Sequence, residues 1–196
     1  MPPPLNPEVQ KAEYPRIRKI AVGGVTYSIP RTKDGRYLLW RCLPHCGNCC
    51  FPRVLALLPR DVEALAQHFQ ETVPEFLVKR TQTTRLTKLN NYPTVVLQHP
   101  KDGERCPHLN KSEKCSIYVN RPHPCRLYPF NYDAEGNVGF KENAVRQECP
   151  GFYLADAPDS RFLRILGDLA PEVREAFTEI GIEPVKPKET PMPLAP

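Results

Sequence analysis

The sequence contains no long apolar run. No stretch approaches the roughly 20 apolar residues that a membrane-spanning helix needs. The opening residues, MPPPLNPEVQ, contain no apolar segment like the centre of a secretory signal, and their prolines would break one. We therefore expect a cytoplasmic protein with no membrane partner. In that compartment thiols stay reduced and disulfides are uncommon.

Long basic segments are also missing. The formal charge is +5, and residues 1–41 account for the excess, with eight Lys or Arg against three acidic residues. No basic run exceeds two residues, and no aromatic platform is interleaved with the basic positions. The pattern favours a solvated leader and gives no strong signal for nucleic-acid binding.

Recognisable catalytic patterns are equally absent. No nucleophile–base pair, Gly-rich phosphate loop or carboxylate pair stands out from the background composition. The sequence therefore does not decide whether the protein is an enzyme, and it indicates no particular reaction.

Proline and cysteine are the residues that shape the expected fold. The chain has 24 prolines, 8 cysteines and only 40% hydrophobic residues among its 196. Because proline removes a backbone donor and fixes φ, regular elements must be short and much of the fold must be loop. Loop-rich folds need covalent or metal cross-links, and the cysteines are the candidates. We expect a Pro-rich disordered leader at 1–15, a metal-binding domain at 16–183 and a Pro-rich disordered tail at 184–196.

The fold class predicted is α+β, a small loop-rich domain with short β-hairpins and several short helices. Hairpins are indicated by Gly23-Gly24 within Ile17–Ile29 and by Asp133–Asn137 between Phe130–Tyr132 and Val138–Phe140. Asp34-Gly35 predicts a turn into a strand at Tyr37–Arg41, and Tyr92–Gln98 reads as a further strand.

Four helices are predicted. Val62, Leu65, Ala66 and Phe69 repeat at helical spacing after Pro59, and Thr72 with Glu75 forms a capping-box pattern. Apolar residues from Phe162 to Leu169 predict an amphipathic helix. Pro171 is expected to begin another helix, which Gly181 ends.

The cysteines fall into two blocks. The first is dense and contains Cys42, Cys46, Cys49 and Cys50, with Pro44 and Gly47 suited to the sharp turns between them. The second is dispersed and contains Cys106, Cys115, Cys125 and Cys149, of which three adjoin proline. Short Cys spacings with a distant closing ligand are typical of both zinc sites and iron–sulfur clusters. We expect a large share of the eight thiols to be metal ligands.

Metal identity and the number of centres stay open at this point. Eight thiolates divide into two four-cysteine sites, but one site with spare cysteines fits as well. The dense first block favours an iron–sulfur cluster. The second block, whose cysteines mostly lie in proline-containing turns, resembles a structural zinc site. His45, His108 and His123 lie among the cysteines and could each replace a thiolate, although a supporting or exposed role is favoured for each. A scaffold of disulfides is the alternative that needs no metal.

The joint pattern resembles a known family. CxxxCxxCC at 42–50 is followed by Cys106-Pro107-His108-Leu109, Cys115-Ser116-Ile117-Tyr118, Arg121-Pro122 and Cys125-Arg126-Leu127-Tyr128-Pro129. Over about residues 40–152 this is similar to the bacterial YkgJ-type cysteine-cluster family, a zinc- or iron-chelating domain. The resemblance implies metal ligation by the eight cysteines and no assigned reaction.

Two enzyme classes share parts of this pattern. The spacing of Cys42, Cys46 and Cys49 equals that of radical S-adenosylmethionine enzymes, but the alternating β/α pattern of their barrel is absent. The family is also similar to the cysteine-rich part of flagellin lysine N-methylases. An S-adenosylmethionine-dependent protein lysine N-methyltransferase is therefore the alternative function, although no Gly-rich turn after a strand marks a separate cofactor domain.

Other residues of the pattern have supporting roles. Arg121 and Arg126 are expected to bond anionic sulfurs or carboxylates. Tyr118, Tyr128 and Phe130 are expected to pack around the centre and exclude water.

Overall fold

Several short helices, one long helix and short strands alternate with loops along the described part of the chain, which confirms the predicted α+β class. A computed structural model describes residues 3–43, 46–50, 55–86, 92–97, 106, 108–112 and 114–183. Side chains at 84–86, 92–93 and 147–148 are not described. The predicted Pro-rich tail at 184–196 lies outside the described residues. None of the described helices is both long and apolar enough to cross a bilayer.

The N-terminal hairpin forms where the glycine pair predicts it. Strand β1 (Arg16–Val22) and strand β2 (Val25–Arg31) pair antiparallel, from Arg16 opposite Arg31 to Val22 opposite Val25. Gly23 and Gly24 have φ values of 58° and 79°, in the left-handed region that glycine adopts without steric cost. A two-residue turn of this kind matches the twist of the strands, so the local sequence is sufficient to specify the hairpin.

Strand β2 lies in the middle of a six-stranded sheet. Strand β3 (Tyr37–Trp40) follows the predicted turn at Asp34-Gly35, and the predicted hairpin of β7 (Phe130–Tyr132) and β8 (Val138–Phe140) is confirmed. Strand β9 (Phe152–Ala155), which the sequence analysis missed, lies at the edge beside β3. The order is β7-β8-β2-β3-β9, with β1 also paired to β2 and β8 parallel to β2.

One long helix covers this sheet. Helix α5 (Ser160–Ile180) buries a continuous apolar face consisting of Phe162, Leu166, Ala170, Val173, Ala176 and Phe177. The prediction that Pro171 begins a separate helix is wrong, because Pro171 lies inside α5. Its ring is on the exposed side of the helix, while the buried residues on either side of it pack into a single core. The predicted end at Gly181 is confirmed, with φ 69°.

A smaller unit precedes the second cysteine block. Helix α2 (Pro59–His68) and helix α3 (Val73–Arg80) lie in sequence between strand β4 (Ala56–Leu57) and strands β5 (Thr81–Leu86) and β6 (Tyr92–Leu97), which form a three-stranded sheet in the order β4-β6-β5. The capping box at the start of α3 is confirmed, since the Glu75 carboxylate accepts from the Thr72 amide at 2.9 Å. The predicted helix at α2 and the predicted strand at β6 also form, while Gln98 lies outside the described residues.

Short helical pieces complete the fold. Helix α1 (Pro7–Lys11) forms within the segment expected to be a disordered leader, and Val9 is 1% exposed in the main core. Asn6 caps this helix by accepting from the Glu8 amide at 3.0 Å. Helix α4 (His123–Leu127), a 3₁₀ turn (Asn48–Cys50) and a π-helical turn (Ala144–Glu148) carry or adjoin cysteines.

Two apolar cores frame the cysteine region. The main core lies between the six-stranded sheet and α5, and Cys149 packs at its edge. The second core, in the smaller unit, contains Leu57, Leu65 and Phe76, with Cys115 and Cys125 packed against it. The fold therefore packs cysteines of the second sequence block against both cores.

Candidate metal centre

All eight cysteines belong to the described part of the chain, and no disulfide joins any of them there. Cys42 and Cys49 are exposed, and the other six are half-buried. The alternative of a disulfide scaffold therefore has no support in the structure.

A single cavity brings cysteines from both sequence blocks together. Five thiols line it, and we call them the cavity group: Cys49, Cys50, Cys106, Cys115 and Cys125. The remaining wall is largely apolar, with one imidazole and one guanidinium; its residues include Leu55, Leu97, His108, Ile117, Arg121 and Tyr128. The cavity volume is about 40 Å³, more than the roughly 10–15 Å³ that one water molecule needs.

Backbone hydrogen bonds connect the loops that carry the cavity group. The Cys106 amide donates to the Cys50 carbonyl at 2.8 Å, which joins the two sequence blocks directly. The Ser116 amide donates to the His108 carbonyl at 2.7 Å, and Leu109 pairs with Cys115 in an isolated bridge. The described parts of these loops do not belong to a regular sheet. Individual backbone hydrogen bonds therefore determine the positions of their thiols.

Helix α4 carries Cys125, and the carboxylate of Asp61 binds the first residue of this helix. Asp61 in α2 has a side chain that is 1% exposed, and it accepts from the His123 amide at 3.0 Å. Arg126 donates to Asp61 at 3.0 Å and to Glu172 of α5 at 2.9 Å. The expectation that Arg126 bonds carboxylates is confirmed. The sequence analysis missed Asp61 and Glu172, because nothing in the local pattern marks a carboxylate so distant in the chain as a partner of the cysteine motif.

Three cysteines are not among the described residues that line the cavity: Cys42, Cys46 and Cys149. Trp40 ends β3, and its indole N–H donates to Sγ of Cys149 at 3.2 Å. The Arg41 amide donates to the Gly151 carbonyl at 3.1 Å, which extends the β3–β9 pairing toward these thiols. The structure thus brings the first and last cysteines of the chain to one end of the main sheet.

Neighbouring thiols affect one another's ionisation. A hydrogen bond with Cys49, burial, and nearby Cys106 and Cys115 raise the pKa of the Cys50 thiol far above its usual range. Burial likewise raises the pKa of Cys149, with smaller contributions from Cys46 and Cys42. Adjacent thiolates repel one another, whereas a bound cation would favour the ionised form.

The described side chains do not by themselves complete a coordination shell. Among the residues that the structure describes, no three His, Cys, Asp or Glu side chains are arranged to hold one metal ion. The chemistry of the donors still fits a soft metal, because thiols and an imidazole line the cavity and none of the described lining residues is a carboxylate. Metal binding would therefore require the cysteine loops to draw closer together.

The histidines near the cysteines differ in position. His108 lines the cavity and contacts the Phe69 ring at 5.6 Å between centroids. His123 is 3% exposed and faces away from the cavity wall, with Nδ1 at 2.5 Å from Glu172 Oε1. His45 lies outside the described residues. His108 is therefore the histidine best placed to act beside the thiols.

The predicted aromatic shell is correct in part. Tyr128 lines the cavity as expected. Phe130 is fully buried, but it packs against Tyr27 and Trp40 in the main core. The prediction for Tyr118 is wrong, since its side chain is 63% exposed and lies under the Arg121 guanidinium, 3.9 Å from the ring centroid.

Comparison with known proteins gives one match. A family model named CxxCxxCC, described as a putative zinc- or iron-chelating domain, matches residues 41–150, more than half of the chain. The first spacing here holds three residues between Cys42 and Cys46, where the family name has two. No curated protein and no solved structure matches the chain.

Proposed function

This chain belongs to the CxxCxxCC family, and from that premise we propose that it binds zinc or an iron–sulfur cluster through cysteine thiolates. The observation that carries the proposal is the cavity group. Its five thiols come from four separate chain segments and converge on one half-buried cavity. The proposed ligands are drawn from Cys42, Cys46, Cys49, Cys50, Cys106, Cys115, Cys125 and Cys149.

The donor set favours a thiophilic metal. Thiolate and imidazole ligands are typical of zinc and of iron–sulfur clusters, whereas magnesium and calcium take oxygen ligands. The apolar side chains of Leu55, Leu97 and Ile117 around the cavity would limit the access of water to a bound centre. Arg121 at the wall would offset part of the negative charge of the thiolates.

Such a centre would act as a cross-link between loops. Metal binding would join the turn at Cys50, the loop at Cys106 and helix α4, none of which is held by a long sheet. Because the site is completed only in the folded chain, the binding free energy contributes to folding. The proposal assumes a reducing compartment, which we take to be the cytoplasm, since oxidised cysteines would not bind metal.

Nothing in the family match or in the cysteine geometry favours the lysine methyltransferase alternative.

The experiment is anaerobic purification followed by elemental analysis and visible spectroscopy. Broad visible absorption with stoichiometric iron and sulfide would identify a cluster, and a colourless protein with tightly held zinc would identify a zinc site. The matched comparison is Cys125→Ser against Ser116→Ala, an exposed residue next to Cys115. We expect metal loss only for Cys125→Ser. A wild-type protein that retains no metal would contradict the proposal.

A further inference from the structure

Helix α4 lies between the two units of the protein. Cys125 packs against the second core, whereas Leu127, two residues later on the same helix, is 4% exposed in the main core. The helix has only five residues, and its N-cap residue is Pro122, which has no side-chain group that could cap it. A helix this short is not stable alone in water, so contacts from other elements must hold it in place.

The start of this helix supplies one wall of the cavity. We call residues 121–125 the wall segment, because all of them except His123 line the cavity. Both carboxylate oxygens of Asp61 accept from the His123 amide at 3.0 Å. The Arg126 guanidinium donates to the Arg121 carbonyl. The position of the wall segment therefore depends on two charged side chains, those of Asp61 and Arg126.

Glu172 of helix α5 binds Arg126 through both carboxylate oxygens. Nε of Arg126 donates to Oε2 at 2.9 Å, and Nη2 donates to Oε1 at 3.0 Å. In this bidentate geometry a guanidinium and a carboxylate fix their mutual orientation as well as their distance. Nη2 also donates to Asp61 at 3.0 Å. One guanidinium thus joins carboxylates of α2 and α5 to the wall segment.

Glu172 also binds the histidine of the wall segment. Nδ1 of His123 lies 2.5 Å from Oε1 of Glu172, and the His123 side chain is 4% exposed. Nε2 of His123 is buried and has no partner among the described residues. Without the Glu172 carboxylate, the imidazole would be buried with neither ring nitrogen bonded in that part of the chain, a state that folded proteins rarely contain.

Glu172 lies outside the region that the family model covers. That match ends at residue 150, and α5 begins at Ser160. Asp61, Arg126 and the cysteines all lie within the matched region. The wall segment is therefore held in part by a helix beyond the matched region, whose apolar face is buried in the main core.

We propose that Glu172 is a positioning residue for the metal centre, a proposal that rests on the proposed function. Through Arg126 and His123, Glu172 holds the wall segment so that Cys125 lines the cavity. Metal binding and the docking of α5 are then linked, and each makes the other more favourable by the same factor.

Retention of metal by Glu172→Gln tests this role. Glutamine keeps the size of the side chain and one acceptor oxygen, but it places an NH₂ donor against the donors of Arg126. The full-length proteins are purified anaerobically, and circular dichroism shows that both are folded. A chromophoric chelator then removes zinc or iron, whichever the wild type carries. We expect Glu172→Gln to lose half of its metal at about tenfold less chelator than the wild type, as for other groups that support metal ligands.

Glu175→Gln is the matched control. Glu175 lies on the same helix with a side chain that is 64% exposed, and it bonds Arg60 at 2.5 Å but no residue of the wall segment among the described contacts. Because exposed ion pairs contribute little, this variant should lose its metal at about the chelator concentration that the wild type requires.

Arg126→Lys is a second variant of the same network. Lysine keeps the positive charge but cannot bind Glu172 through two parallel hydrogen bonds. We expect metal loss as easy as in Glu172→Gln. Combining the two substitutions should add little to either one, since both disrupt one network.

Hydrogen exchange tests the linkage in the unaltered chain. Removal of the metal from the wild type should speed amide exchange in α4 and around residue 172 of α5, but not in the hairpin of β1 and β2. Unchanged exchange in α5 would overturn the linkage. An equal increase in α5 and in the hairpin would do the same, because it would show a general loss of stability.

The metal titration separates positioning from a purely structural role. If Glu172→Gln is less stable but loses its metal at the wild-type chelator concentration, Glu172 does not position the centre, and the proposed function stands. Equal metal loss in Glu172→Gln and Glu175→Gln would reduce the effect to the charge of α5 and contradict the proposal. If Glu172→Gln is insoluble, Arg126→Lys and the exchange experiment decide. A wild-type protein with neither zinc nor iron would overturn the proposed function, and this proposal with it.

Discussion

The indole N–H of Trp40 donates a hydrogen bond to Sγ of Cys149, with 3.2 Å between nitrogen and sulfur across 109 residues of sequence. This contact joins the end of the main sheet to the last cysteine of the chain. Burial raises the pKa of the Cys149 thiol, and the Trp40 donor acts against that effect by favouring the thiolate. Under the proposed function, this donor would support Cys149 as a metal ligand.

Replacing Trp40 with phenylalanine should weaken metal binding without unfolding the chain. The ring of Trp40 packs against Phe130, with 6.1 Å between centroids, and phenylalanine can keep much of that contact. Loss of the N–H should raise the pKa of Cys149 further and lower metal affinity by about 10–100-fold, as for other groups that support a ligand. Competition with a chromophoric chelator measures the change.

The control for Trp40→Phe is Tyr153→Phe on strand β9. Tyr153 donates to Asp159 at 2.6 Å, so its loss removes a hydrogen bond from the same sheet without touching a thiol. We expect metal affinity close to that of the wild type. Equal affinities for both variants would show that the Trp40 contact has no role in ligation.

Glu172→Gln should destabilise the protein in a pH-dependent way. Hydrogen bonds from His123 and Arg126 outweigh the effect of burial and lower the pKa of Glu172 to about 2. Because the folded-state pKa is depressed, the stabilisation is present above the unfolded value of about 4.3 and is lost as the pH falls toward 2. The variant should lose roughly 1–3 kcal/mol at pH 7 and show a flatter decline in acid.

Urea unfolding at several pH values between 7 and 3 measures this difference. Glu175→Gln is the matched control, since Glu175 lies on the same helix with a side chain that is 64% exposed and bonds Arg60 alone among the described residues. The Glu175→Gln substitution should change the free energy of unfolding by less than about 0.5 kcal/mol. If the free energy of unfolding falls equally in acid for Glu172→Gln and for the wild type, the assigned role of Glu172 is contradicted.

Gly151→Ala should disrupt the junction between β3 and β9. The added methyl group would meet the Arg41 carbonyl oxygen at 2.1 Å, and a backbone atom cannot move aside cheaply. We expect a loss of at least about 2 kcal/mol in the free energy of unfolding. Gly167→Ala in α5 is the control: its nearest neighbour is Val22 at 3.8 Å, and alanine favours helix by up to about 1 kcal/mol. Similar thermal shifts for the two variants would refute the packing argument.

Pro171→Ala should raise the melting temperature. Pro171 lies inside α5 without an amide hydrogen, and proline in a helix interior costs about 3 kcal/mol relative to alanine. Because Pro171 is on the exposed side, its removal should cost little packing. Differential scanning calorimetry measures the change. A lower melting temperature would show that Pro171 contributes a contact that outweighs the missing hydrogen bond.

Local signals predicted much of this fold. The Gly23-Gly24 hairpin, the Thr72–Glu75 capping box and the Gly181 helix end depend on residues close together in sequence, and all three are confirmed. The prediction at Pro171 was wrong because the free-energy cost of a proline inside a helix is smaller than the stabilisation from burying one continuous apolar face. Strand β9 was missed since it is four residues long and its pairing with β3 is distant in sequence.

The site was less predictable than the fold. The spacing of the cysteines marked all eight as candidate ligands, but spacing cannot say which sulfurs meet. That depends on the long-range pairing of Trp40 with Phe152 and on the bond between Cys106 and Cys50. Glu172 and Arg126 are 46 residues apart, so their ion pair has no local signature either.

X-ray absorption at the edge of the metal that is purified with the chain tests the central claim most directly. Ligation by the cysteines predicts a shell of about four sulfur atoms per metal site, at about 2.3 Å if the metal is zinc. A cluster would add metal–metal scattering to the sulfur shell. A shell of only oxygen and nitrogen would contradict ligation by the cysteines.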